Sequence, residues 1–469
     1  MEKPGHLKAV DVVLLTAHEA EHIVENLKCF SVKEVGCPAW MKQHRKLEKL
    51  NLQAHYNTIA HCDEFIMEAL LSFEKLGVLI HELLVIEIWK EKVLPHIMKH
   101  LAGMSSTIRL SLIFYQEVTV IKLFEIMLFH KEACKALGSS NLLELVDYCY
   151  RKLVYLNTNA SKDAAYKERT AQQVMSLKPE LEMEEKAGEI EFGCAIASLT
   201  ILRYMLSAVA DNIKRTSAIM SMIFLQENAQ ARLIDTHDVI MGLVNLVESP
   251  PWERRRNLKA KVVTEKYEEG KWVEVPPQDR FRIFKSEAQV WLALNNLVAD
   301  IQCRARYTYD DFRQAQVLKL RKYLNEMVLE QLPVLKDLQW ALEEISLKVF
   351  ATEEDRRTAH LIMEEIPEMR TALLARRDWR QLAEDQIEMI RSDPRLSGDS
   401  PAELDELMRM FQFGESMDTP KCAACGAPAE KRCSRCKNDW YCGRSCQVAN
   451  WKIHKKICDL VSSANTKSS

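Results

Sequence analysis

Apolar residues recur at helical spacing along most of this chain. Leu142, Leu145, Val146, Cys149, Leu153 and Leu156 fall on one helix face. Gly138 is placed to end a preceding helix, and Asn141 with Glu144 has the spacing of an N-cap and its N3 partner. Stretches 47–54, 80–93 and 118–129 keep the same period, so residues 1–157 read as an N-terminal helical domain. From 158 to 187 the period fades and polar and acidic residues take over, which predicts a flexible linker. The period then returns. Asp238 opens a helix with Val239, Ile240, Leu243, Val244 and Val247 inward, and Ser249 to Pro251 stops it.

One stretch changes period. Val262, Thr264 and Lys266 alternate with Val263, Glu265 and Tyr267; Glu269 and Gly270 turn the chain, 272–275 follow, and Pro276 and Pro277 end the run. This predicts a β-hairpin over 260–275. Helices resume from Lys285 to Phe411, with breaks near Arg304 to Asp310, Pro333, Pro367 and Asp393 to Pro394. The segments at 238–250 and 288–297 resemble inner helices of armadillo-type repeats, without a strict period of about 40 residues. The expected fold is all-α: an armadillo-like helical domain at 188–411 with one hairpin, a linker at 412–421, a zinc module at 422–458 and a tail at 459–469.

Composition agrees. Gly (13) and Pro (14) are scarce, which disfavours turn-rich β folds and Gly-rich phosphate loops. No G-x4-G-K-[ST] or G-x-S-x-G occurs, so ATPase and hydrolase chemistry lack their key residues. A net charge of −3 gives no pull toward nucleic acid or membranes. The apolar run Val12 to Leu15 is too short for a signal peptide, and no run of about 18 apolar residues predicts a membrane span. The cysteines are therefore expected in a reducing compartment, where C-x2-C pairs read as metal ligands rather than disulfides. Cys29, Cys37, Cys62, Cys134 and Cys149 have no ligand spacing and read as buried small hydrophobes.

Residues 422–458 carry the readable chemistry. Cys422, Cys425, Cys433, Cys436, Cys442, Cys446, His454 and Cys458 place seven thiols and one imidazole in 37 residues. Eight such donors suit two structural zinc ions with four ligands each. The four ligand pairs invite cross-bracing, with Cys422, Cys425, Cys442 and Cys446 on one ion and Cys433, Cys436, His454 and Cys458 on the other. Sequential pairing satisfies four-coordination equally well. Cys446 to Cys458 reads as a helix with Ser445 as N-cap, and His454 and Cys458, four apart, face one ion. Gln447 and Trp451, also four apart, form an amide-plus-indole pair suited to an extended peptide, and Trp440 and Tyr441 add aromatic surface. Eight basic side chains against two acids exceed the net charge of seven thiolates on two zinc ions by only about three, too little for DNA binding.

These spacings, with Trp440-Tyr441-Cys442 and Gln447-x3-Trp451-x2-His454-x3-Cys458, resemble the MYND zinc finger. That resemblance implies a cross-braced two-zinc module that binds partner proteins, with Gln447 and Trp451 at peptide-contacting positions. Most of the chain resembles the BLU-type family of axonemal dynein arm assembly factors, through Leu47 to Ala54, Phe129 to Cys134, Leu145 to Cys149, Lys319 to Arg321, Glu330 to Pro333 and Cys433 to Cys436, and least at 158–187 and the first 20 residues. The resemblance implies a non-enzymatic cytoplasmic factor of ciliated cells, at dynein assembly foci and centriolar satellites or the centrosome. Its implied partners are a leucine-rich-repeat assembly factor, chaperones or co-chaperones, and dynein chains.

Three other readings have some support in the sequence. His18, Glu19 and His22 match H-E-x-x-H, but a protease also needs a third ligand and a cleft, so a solvated helix face is the expectation. MYND fingers also occur in SET-type methyltransferases, embedded in strand-rich catalytic domains unlike this helical chain. A nuclear transcriptional co-regulator, its finger recruiting repressors, is supported only by the basic run Arg254 to Arg256.

Overall fold

The computed structural model describes residues 15–61, 63–103, 108–165, 177–213, 228–258, 261–347, 365–375, 378–392, 422, 424–425, 429, 431–433 and 440–465. The chain divides into two compact units, 1–397 and 398–469. The linker expected at 412–421, the thiol of Cys62 and residues 466–469 lie outside the described residues.

The first unit is mainly helical. Its principal helices are α1 (Ala17–Glu25), α2 (Pro38–Ala60), α3 (Leu76–Ile88), α4 (Ile108–Met127), α5 (Ser139–Thr158) and α6 (Pro179–Ile213). They continue with α7 (Val239–Glu248), α8 (Lys285–Leu294), α9 (Lys336–Ser346) and α10 (Trp379–Ser392). The two halves expected as separate domains form one unit, because α6 packs against α4, α5 and α8 together. This helix starts inside the stretch expected to be a linker. Its first turn holds Glu180 and Glu182, where acids favour a helix start, so a polar composition there did not mean disorder. Pro179–Ala208 is long and apolar enough to cross a membrane by length and composition, but most of it is buried inside this unit.

α6 also carries Glu191 into a buried charge cluster. Lys90 pairs with Glu117 and Glu191, and Lys152 pairs with the same two carboxylates, at 2.8 Å for Glu117. Tyr148 donates to Glu117 at 2.7 Å. Burial opposes the charged forms, yet the alternating signs prevail: Lys152 is raised well above its ordinary value and Glu191 is held at about 2. Lys90 sits in a wide turn, Trp89–Val93, that continues α3.

Several local expectations changed. Helix α5 begins at Ser139, after Gly138 with φ +72°, so Asn141 is not its cap; Asn141 Nδ2 instead donates back to the Leu137 carbonyl at 2.9 Å. Glu144 is buried and accepts the backbone N–H groups of Met369 and Arg370, capping a helix (Met369–Leu374) more than two hundred residues away. Asp238 does precede α7, with Val239, Ile240, Leu243 and Val244 buried, but Leu246 is buried where Val247 is only partly so. The Asp238 carboxylate binds Tyr307 and Arg313 at 2.8 Å rather than capping. Cys134 and Cys149 are buried as expected; Cys29 is exposed, and Cys37 is part-buried with its sulfur accepting from the Trp40 N–H at 3.5 Å.

The expected hairpin is part of a three-stranded antiparallel sheet: β1 (Glu253–Leu258), β2 (Lys261–Glu268) and β3 (Lys271–Glu274). A two-residue turn joins β2 to β3, with Glu269 at φ +50° and Gly270 at φ +85°, as a type I′ turn requires. β1 reads in sequence as a basic run, with no apolar alternation to mark a strand. Arg254 pairs with Glu265 at 2.8 Å, lies 4.1 Å from the Trp272 ring centroid and donates to the Ala164 carbonyl; Arg256 also pairs with Glu265. Two of the three arginines read as a nuclear signal are thus tied into the fold.

Candidate metal centre

Among the described residues, the C-terminal unit has two short strands and a helix. β4 (Lys431–Arg432) pairs antiparallel with β5 (Trp440–Tyr441), Lys431 opposite Tyr441. Helix α11 (Arg444–Asn465) follows. It begins one residue before Ser445, so Ser445 lies in its first turn rather than at the cap, and it runs on through 459–465, expected to be tail.

Two donor clusters form. Cys422, Cys425, Cys442 and Cys446 make one; Cys433, His454 and Cys458 make the other. Cys436, expected as its fourth ligand, lies outside the described residues. The grouping is cross-braced, and α11 explains why. Cys446 and His454 are eight residues apart, about 12 Å along a helix axis, too far to share one ion. One helix therefore serves both sites.

The spacing of the donors fits zinc. With Zn–S bonds of about 2.3 Å, tetrahedral geometry sets sulfur–sulfur edges near ~3.8 Å. Sulfur separations are 3.6 Å for Cys425 to Cys442, 3.4 Å for Cys442 to Cys446, 3.8 Å for Cys446 to Cys425 and 4.0 Å for Cys433 to Cys458. His454 Nε2 lies 3.3 Å from the Cys433 sulfur. A disulfide would need about 2.05 Å. The backbone prepares the first site: although burial pushes the Cys422 thiol up, the N–H groups of Cys442, Ala424 and Cys425 hold it down to about 6. Cys442 is pushed up to about 12 by the Cys446, Cys425 and Cys422 sulfurs. Crowded thiols of this kind are held together by a dication, and the donor sets are those of two structural zinc ions.

The neighbouring aromatics divide their roles. Tyr441 is buried with its ring edge-on to His454 at 5.8 Å, and it accepts from Asn450 at 3.3 Å, so it supports the second site instead of adding surface. That support had no spacing signal; only the β4–β5 register turns Tyr441 inward. Trp440, on the opposite side of the strand, is half-buried. Trp451 leans on His454 at 5.8 Å yet stays 37% exposed, and Gln447, one turn earlier, is half-buried.

The H-E-x-x-H match behaves otherwise. Glu19 closes a capping box with Thr16, accepting from its N–H and hydroxyl at 2.8 Å. His22 lies within hydrogen-bonding reach of Asn26. Among the described residues, His18 and His22 belong to no metal-holding group.

The MYND finger family model matches residues 422–458. The C-terminal module is a MYND finger. Beyond it, the chain is homologous to "Zinc finger MYND domain-containing protein 10 homolog" of Drosophila melanogaster, at 28% identity over 93% of this chain and 96% of that protein. Shorter similarities are found to "Ubiquitin carboxyl-terminal hydrolase 15" of Arabidopsis thaliana, 46% identical over 10% of this chain and 5% of that protein. Another is to "Dauer abnormal formation protein 25" of Caenorhabditis elegans, 49% identical over 8% of this chain and 10% of that protein. No solved structure matches.

Proposed function

We propose that this chain is a non-enzymatic adaptor for cytoplasmic pre-assembly of inner and outer axonemal dynein arms, needed for ciliary motility. In this reading the MYND finger holds partner-protein peptides on the face formed by Gln447, Trp451 and Trp440. The observation that carries it is similarity along 93% of the chain to a fly protein of the same finger-bearing type. The resemblance of most of the chain to dynein arm assembly factors extends that similarity to a role. The finger geometry supports the binding mode, because α11 is fixed by both metal sites while Trp451 remains open to solvent. The armadillo-like body would hold a second partner. Expected partners are a leucine-rich-repeat assembly factor, chaperones or co-chaperones, and dynein chains. Expected locations are the cytoplasm, assembly foci and centriolar satellites of ciliated cells.

The nuclear co-regulator reading loses its main sequence support, since Arg254 and Arg256 are bound to Glu265. The test is affinity purification from ciliated cells with wild type and Trp451→Ala, with zinc measured in both. Wild type should retain dynein chains and assembly factors; Trp451→Ala should keep its zinc and lose a subset of them. An unchanged partner set would remove the peptide face, and a protein concentrated in nuclei would remove the assembly role.

A further inference from the structure

The helical unit has a groove unrelated to the finger. Its volume is about 230 Å³, enough for one large apolar side chain. Leu246 of α7, Trp252 before β1, and Val290 and Trp291 of α8 make its floor, and all four are buried. Phe281 and Met327 stand at its edges and are 67% and 47% exposed.

The edges are held in place. After the 3₁₀ turn Pro277–Asp279 the chain passes through 280–283 and meets the helix Glu326–Gln331. Gln331 clamps the two. Its Oε1 accepts from the Ile283 N–H at 2.9 Å, and its Nε2 donates to the carbonyls of Phe281 at 2.9 Å and Met327 at 3.1 Å. One amide thus fixes the backbone under both exposed apolar side chains, so the groove exists before anything enters it.

Charge around the groove is one-sided. Arg280, Arg282 and Lys322 are exposed on its rim, and among the described residues none of them is ion-paired. Arg282 lies 5.4 Å from the Phe284 ring centroid and Lys322 lies 5.4 Å from that of Tyr323, which keeps both close to the surface. The carboxylate in the lining, Glu287, is paired with Lys266 at 3.3 Å. In a chain of net charge −3, three cations with no ion-pair partner among the described residues around one apolar slot are a local departure.

We propose that this groove docks an acidic peptide segment of a partner protein, inserting one large apolar side chain between Phe281 and Met327 while flanking carboxylates meet Arg280, Arg282 and Lys322. An apolar anchor supplies the contact area and the rim charges set selection and encounter rate. The slot is sized for a single side chain and lacks the long basic track that a nucleic acid strand follows.

A random linear peptide library panned against the full-length chain tests this. Enriched sequences should carry Asp or Glu on both sides of one Leu, Met, Phe or Trp. Their affinity, read by fluorescence anisotropy, should fall roughly tenfold or more in the double variant Arg280→Glu/Arg282→Glu and should weaken with added salt. Met327→Asp should weaken the same peptides, and Trp451→Ala should leave them unchanged. Both charge-changing variants alter exposed side chains, and an unchanged thermal midpoint confirms folding. Enrichment without acidic bias would overturn the proposal. So would equal binding to the charge-reversed variant, loss of binding in Trp451→Ala, or displacement of the peptides by single-stranded RNA.

Discussion

The indole Nε1 of Trp89 donates a 2.8 Å hydrogen bond to Oε1 of Gln386, 297 residues further along the chain. The amide nitrogen of the same glutamine donates to the backbone carbonyls of Val32 and Lys33. One buried side chain in α10 thereby joins that helix to two separate N-terminal segments. Gln386→Leu leaves the indole and a carbonyl without partners in a buried place, each costing about 1–3 kcal/mol. The variant should unfold at lower urea, and proteolysis should reach 379–392 first.

The cluster of Lys90, Glu117, Lys152 and Glu191 gives a second prediction. Glu117→Gln leaves two buried ammonium groups sharing one carboxylate and should destabilise by about 3–5 kcal/mol. The double variant Lys152→Met/Glu117→Gln leaves one lysine to one carboxylate and should recover part of the loss. Chemical denaturation of the two variants, compared at equal m-value, measures both.

Acid should act in two stages. Burial, with Lys122 nearby, lowers His55 from 6.5 to about 4, so the fold holds it neutral. Its contribution is present above pH 6.5 and is lost as pH falls from there toward 4, on the order of 3 kcal/mol at most. Burial would raise Glu125 and Glu191, but lysines outweigh it and hold each at about 2, against an ordinary 4.5. Their contribution is present above pH 4.5 and is lost as pH falls toward 2. Urea midpoints should therefore decline below about pH 6.5, and His55→Gln should flatten the upper stage while leaving the lower one.

Metal removal should separate the two units. Wild type should bind two zinc ions. A strong chelator, or Cys422→Ser, should unfold the finger while the thermal transition of 1–397 stays in place, since structural zinc supplies about 10 kcal/mol or more to so small a module. Zinc content and circular dichroism measured together check this.

What could be read from the sequence depended on whether the signal was local. The zinc ligands stood out because their spacing is itself the chemistry. Helices α5 and α7 stood out because their apolar period is their packing face. Glu144 looked like a cap of its own helix, and nothing near it in sequence shows that its carboxylate serves Met369 and Arg370 instead. β1 was concealed because Arg254 and Arg256 take their meaning from Glu265 and Trp272 on the neighbouring strands. The groove was invisible for the same reason: Gln331 is unremarkable until folding brings Phe281 and Ile283 against it.

The interleaving of the two zinc sites has a topological consequence. The Cys422 cluster closes a loop that contains Cys433, and the Cys433 cluster closes a loop that contains Cys442 and Cys446. The module therefore cannot be divided: any cut between Cys433 and Cys442 takes donors from both ions at once. Natural variation or engineering can change the face around Trp451 residue by residue, but the framework behind that face is inherited whole or lost whole.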